Sequence, residues 1–249
     1  MIDKYIEMKF SYAYNYAGFI RNKIFDNKPE DYLDEIIDPD LDKLLKPDKE
    51  TILHDFIEWI IKDEIEYVGR KIGPIEDWEA LLNDYKIPFS KNDFDEDEDE
   101  DDGTYIDYLE QKIRENVIAK IANETFQLLF SDRAFCLEFN KLIADKIKNY
   151  TLSDFDDYME KDGVLKRCTY FPVWVQRAVF LRDKGCCAIC LTDLTGLLRT
   201  DFDKALDHIV PLNLGGNNDV TNLQLVCEKC NLEKLGHTIR TSEHYPTYF

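Results

Sequence analysis

Asp207-His208-Ile209-Val210-Pro211, then Gly215-Gly216, Asn222-Leu223 and Cys227-Glu228-Lys229-Cys230-Asn231, form the stretch that decides how this chain is read. It joins a histidine preceded by an acid to one Cys-x-x-Cys pair, and a second pair, Cys187 and Cys190, lies upstream. A two-residue gap lets two thiolates converge on a single ion. Two such pairs therefore predict a tetrahedral structural zinc, Zn2+, with no position left for substrate or water. Cys186 leaves the register open, since it can stand in for Cys187 with one residue of slack. Cys136 and Cys168 read as core or boundary cysteines.

Outward from the histidine, Ala205 to Val210 is short, partly β-branched and stopped by Pro211, which suits a strand. Leu212 to Asn218 is a Gly-Gly and Asn-rich loop, and Val220 to Val226 is the returning segment. Glu228 to about Leu235 suits a helix closed by Gly236. The expected unit is strand, loop, strand and helix, held at both ends by zinc. Before it, Pro172 to Asp183 reads as a short amphipathic helix with Pro at its start, followed by a tight Lys184-Gly185 turn into the first cysteines.

These residues resemble the HNH endonucleases. The likeness spans Phe171 to about Gly236. It rests on Arg177-Ala178-Val179-Phe180-Leu181-Arg182-Asp183-Lys184-Gly185, Asp207-His208-Ile209-Val210-Pro211, Gly215-Gly216, Asn222-Leu223 and Cys230-Asn231-Leu232-Glu233-Lys234, in that order. The resemblance implies a ββα-metal fold that hydrolyses phosphodiester bonds in nucleic acid, with DNA the expected substrate. It implies His208 as general base, a role that the ordinary pKa of histidine allows, and Asn222 as the tie between loop and strand. Asp207 and Asn231 would hold one hydrated divalent cation, Mg2+ or another, against the scissile phosphate. Arg177, Arg182 and Lys234 flank the site and are the expected phosphate contacts.

On a regular strand, neighbouring side chains point to opposite faces. Asp207 and His208 can therefore serve one phosphate only near a strand end or a local distortion. Taken singly, these residues would be a packed histidine, a turn acid, an Asx turn and a helix cap. The competing reading is a zinc-stapled module that binds nucleic acid or protein without cutting. His54, His237 and His244 receive no role.

The 249 residues suggest two domains and an α+β class. Residues 1–160 read as an acidic, mostly α-helical domain that regulates the site or docks a protein partner or a second copy. Residues 161–249 hold the small zinc-stapled domain. The net charge of −20 is unevenly spread: 11 Lys and Arg face 10 Asp and Glu from Lys161 onward, but 20 face 41 before it. A near-neutral C-terminal half predicts weak binding to a polyanion.

Apolar spacing predicts one helix from about Asp48 towards Gly69, a second from Thr104 to Ser131, and a third through Phe139 and Ile143. The acidic run over 92–103 reads as a mobile, solvated loop, or as a nucleic-acid mimic covering the basic face of the other half. No apolar run is long enough for a bilayer, and Met1 to Tyr5 lacks the order of a secretory signal. With the cysteine pairs, this points to a reducing, cytoplasmic setting without a membrane. An HNH unit on an unrelated N-terminal domain also resembles bacterial or phage defence effectors and restriction enzymes.

Overall fold

The computed structural model describes residues 7–26, 40–71, 75–91, 102–196 and 204–247. The acidic run at 92–101 lies outside the described residues, and Asp102 already opens a helix. Among the described residues the fold is α+β: a helical N-terminal half followed by short antiparallel hairpins and two helices. No described helix is long and apolar enough to cross a membrane.

The helices are α1 (Ala13–Phe25), α2 (Leu41–Leu45), α3 (Ile52–Lys71), α4 (Ile75–Asp84), α5 (Asp102–Asn116), α6 (Ile118–Ser131) and α7 (Arg133–Ile147). In α3, Ile52, Phe56, Ile60 and Ile61 recur at helical spacing and are buried. Helix α6 packs against both α1 and α3. Two boundaries differ from the sequence reading. Thr51 caps α3 rather than Asp48: its Oγ1 accepts from His54 N (3.3 Å) while its own N–H donates to His54 Nδ1 (3.1 Å). This is a capping box with histidine in the place of glutamate. The run from Thr104 to Ser131 is two helices, broken at Val117, whose φ of −115° redirects the chain. The break lets Ile113, Val117 and Ile118 all reach the core.

The C-terminal half opens with β1 (Met159–Lys161) paired to β2 (Val164–Leu165), then α8 (Val173–Arg182). Strand β3 (Lys204–His208) pairs antiparallel with β4 (Leu223–Cys227), setting His208 opposite Leu223 and Lys204 opposite Cys227. Helix α9 (Glu228–Lys234) packs on both strands. Leu235 (φ 49°), not Gly236 (φ −83°), takes the positive-φ position after α9. The Gly215-Gly216 pair is required by close approach. A Cβ on Gly216 would stand 1.9 Å from Val210 O, and one on Gly215 2.5 Å from Ala144 O of α7.

The halves meet on buried charge. Asp183, at the end of α8, accepts from Arg182 through both carboxylate oxygens (2.9 and 3.0 Å) and from Leu225 N of β4 (2.8 Å). Arg133, the first residue of α7, also reaches it (3.3 Å), and all three side chains are buried. Arg133 Nε and Nη2 donate to Ser242 O and His244 O, and its guanidinium lies 4.0 Å from the centre of the Tyr245 ring. One cluster thus fastens α7, α8, β4 and the C-terminal tail. Removing one partner of a buried charge set typically costs about 3–5 kcal/mol. Asp183→Asn is therefore expected to lower unfolding stability in urea by about that amount. Glu138→Gln, which removes a half-exposed pair with Lys141, is expected to cost under about 1 kcal/mol.

Candidate active site

Tight backbone turns bring the four paired cysteines together. Cys187 and Cys190 follow the Lys184-Gly185 turn, where both residues are left-handed (φ 55° and 65°). Leu191 N donates back to Cys187 O (2.9 Å), and Ala188 N donates to Leu225 O of β4 (2.8 Å). Cys227 ends β4, and Cys230 lies in the first turn of α9. The four sulfurs all lie within 4.8 Å of one another. The Cys190–Cys227 separation of 3.8 Å is the edge of a tetrahedron whose metal–sulfur distance is about 2.3 Å. The set fits a zinc ion in donor type, number and spacing. Cys186 stands outside it, bridging Asp193 through its backbone, so the open register resolves to Cys187. Cys136 is buried against α6 carbonyls.

At the other end of the hairpin, a cleft of about 660 Å3 is lined by Asp207, His208 and Asn231, with Glu160 and Arg167 on its rim. His208 is the last residue of β3, which is how it and Asp207 line one cleft despite strand alternation. Asp207 Oδ2 accepts from Gln224 Nε2 (3.0 Å) and pairs with Lys234 Nζ (2.9 Å). Its Oδ1 has no hydrogen bond to a described residue, and Asn231 is half-buried in the same cleft. A carboxylate oxygen and an amide side chain sharing a cleft suit a hard divalent cation.

His208 is 5% exposed, and its Nε2 lies 3.1 Å from Asn218 Oδ1. Burial, opposed by the hydrogen bond to Asn218, pushes the imidazole down to about 4. The ring is therefore neutral near pH 7, as a proton acceptor must be. Phe171 presents its ring to His208 in an edge arrangement at 6.1 Å. Asn222 is fully buried and spans the loop. Its Oδ1 accepts from Val210 N (2.9 Å), and its Nδ2 donates to Val210 O (3.0 Å) and Asn217 O (2.8 Å).

Residues 187–243 match the family model of the HNH endonucleases. No curated protein and no solved structure matches the chain. The HNH match holds the second half of the cleft and all four zinc-suited cysteines, and it leaves the helical half outside.

Within the HNH region and its lead-in, two expected phosphate contacts are corrected. Arg182 is buried, with its guanidinium on Asp183 and Leu223 O, so it cannot reach a phosphate. Lys234 is 2% exposed and its Nζ is held by Asp207 and His208 O. Both cations were legible as charge but not as buried partners of an acid. Arg177 is exposed on α8 and lines a neighbouring cleft with Tyr170 and Phe171. Sequence reading missed Arg167, exposed on the cleft rim, and Asn218, buried beside His208. Asn218 carried one signal, its place in an Asn-Asn-Asp run that a simple loop does not need. His237 sits exposed in the turn after α9, while His54 stacks on Phe126 at 4.0 Å as a core residue.

Because structural zinc binding and folding are coupled, Cys190→Ser and Cys230→Ser are each expected to lose the bound zinc equivalent and the thermal transition of the C-terminal half. Cys186→Ser is expected to keep both. Zinc content by mass spectrometry, alongside a melting curve, checks the contrast.

Proposed function

We propose that the protein is a metal-dependent HNH endonuclease that hydrolyses phosphodiester bonds in nucleic acid, DNA above all, around a structural Zn2+. The observation that carries the reading is His208. Its ring is buried and neutral, its Nε2 is engaged, its Nδ1 makes no hydrogen bond to a described residue, and it shares a cleft with Asp207 and Asn231. A packing histidine has no use for a free nitrogen beside an acid and an amide.

In this reading a water enters the cleft next to His208 Nδ1. The imidazole takes the water's proton as the oxygen attacks phosphorus and the bond from phosphorus to the 3′-oxygen breaks; solvent water protonates the departing 3′-oxygen, and the imidazolium returns its proton to solvent. The products carry 5′-phosphate and 3′-hydroxyl ends. Asp207 and Asn231 would hold Mg2+ or another divalent cation. When bound, that ion would supply Lewis-acid stabilisation of the charge on the departing oxygen. Lys234 and Gln224 orient the Asp207 carboxylate through Oδ2, and Asn222 holds the loop that frames the cleft. Arg167 takes over the phosphate contact from Arg182 and Lys234, with Arg177 further along the substrate.

The helical half regulates the site. Support comes from α2, whose last carbonyls bond to Asn218 beside His208. A protein partner or a second copy acting on that half would act through this contact. Such coupling suits the nuclease effector of a defence or restriction system.

Supercoiled plasmid with Mg2+ or Mn2+ is expected to be nicked, and His208→Ala is expected to slow cleavage roughly 10²–10⁴-fold. Cleavage at the wild-type rate by the purified variant would overturn the role of His208, and an inert wild type would favour a binding module. Arg167→Ala is expected to raise KM with kcat nearly unchanged, and to reduce the salt slope of binding by about one. Arg182→Lys is expected to act on stability instead.

A further inference from the structure

Asn218 is fully buried, and its backbone N–H and both polar atoms of its side chain are engaged. Its side-chain Nδ2 donates to Leu45 O (3.0 Å) and Lys166 O (2.9 Å). Its backbone N–H donates to Leu44 O (2.8 Å). Its Oδ1 accepts from Cys168 N (3.2 Å) and lies 3.1 Å from His208 Nε2. Two of these partners, Leu44 and Leu45, are the final residues of α2, in the helical half.

The set permits only one amide orientation. Exchanging oxygen and nitrogen would set Oδ1 against the carbonyls of Leu45 and Lys166, and the NH2 group against the N–H of Cys168. Three neighbours therefore place an acceptor at His208 Nε2. An acceptor there requires Nε2 to carry the hydrogen, so in the neutral ring the lone pair falls on Nδ1. Without that acceptor only the ring's own weaker preference would set the tautomer, and part of the population would carry N–H on Nδ1, where a base is needed.

We infer that Asn218 is a positioning residue that fixes His208 in the Nε2–H tautomer, and that α2 sets it by holding the Asn218 amide. The tautomer claim stands on geometry alone; its consequence for cleavage rests on the nuclease reading above. Helix α2 is in turn tethered to α3, since Lys43 Nζ bonds both oxygens of Asp55 (2.7 and 2.6 Å). Displacing α2 would remove one of the three contacts that orient the Asn218 amide, and the anchor of its backbone N–H, without touching the cleft. The helical half thus reaches the reacting nitrogen by a chain of four groups: Lys43 with Asp55, the end of α2, Asn218 and His208.

The test uses the full-length, zinc-loaded protein labelled with 15N-histidine, with imidazole nitrogen shifts read at one neutral pH. The chain has only four histidines, and His208→Ala assigns the resonance. Wild type is expected to show His208 almost wholly as Nε2–H. Asn218→Ala is expected to give a mixed tautomer and to lower kcat about 10- to 100-fold with KM little changed, the usual scale for a lost orienting partner. Lys43→Met, remote from the cleft, is expected to move the shifts in the same direction by a smaller amount. A folded, zinc-replete Asn218→Ala that keeps the wild-type shifts would overturn the proposal. If that variant does not fold, Lys43→Met decides, and unchanged shifts and kcat in it overturn the role of α2. An inert wild type whose tautomer still depends on Asn218 would sink the nuclease reading and leave the positioning intact.

Discussion

Asp183 is the charge through which the two halves are joined. Its carboxylate satisfies Arg182, Arg133 and the Leu225 N–H at once, all out of contact with water. Charges this deeply buried are costly unless they are paired, and even here Arg182 Nη1 has no hydrogen-bond partner among the described residues. Arg133 therefore adds two tail carbonyls and the Tyr245 ring, while Arg182 adds Leu223 O and lies 5.0 Å from the centre of the Phe130 ring. The elements meeting there are those that place the functional groups. Cys187 lies four residues beyond Asp183, and Leu223 and Leu225 belong to the strand that pairs with β3.

That strand separates two tasks. At its far end, Cys227 joins the thiol cluster, and at its near end Leu223 sits opposite His208. A closed, zinc-suited set of sulfurs thus fixes one end of the hairpin, while Asn222 fixes the other by bonding across the loop. Between them the cleft keeps its polar side chains facing a space that a phosphate can enter. The distribution of cations follows the same division. Arg182 and Lys234 are held by Asp183 and Asp207, whereas Arg167 and Arg177 are exposed on their clefts.

Local chemistry is legible in the sequence itself. Two Cys-x-x-Cys pairs, the Asp207-His208 step, the Gly215-Gly216 turn and the β-β-α order all follow from constraints acting over a few residues: knuckle geometry, strand length, and backbone approach that admits no Cβ. The apolar spacing also located the helices, while their ends escaped it. Thr51 rather than Asp48 caps α3 because its partner is a histidine, which the usual cap signature omits. Val117 breaks an apolar pattern that remains regular in sequence, because the break lets both sides reach one core. Leu235 adopts a positive φ beside an available glycine, and nothing in the structure explains that choice.

By itself, then, the sequence determined the metal-suited thiols, the adjacent acid and histidine that line the cleft, and the excess of acidity in the first half. Tertiary structure alone decided which cations are free, which nitrogen of His208 is available, and that α2 touches the residue beside it. The physical reason is separation along the chain: Asn218 meets Leu45 across 173 residues, and Arg133 meets Asp183 across 50. A buried basic side chain and an exposed one are the same letter until the fold brings an acid to one of them.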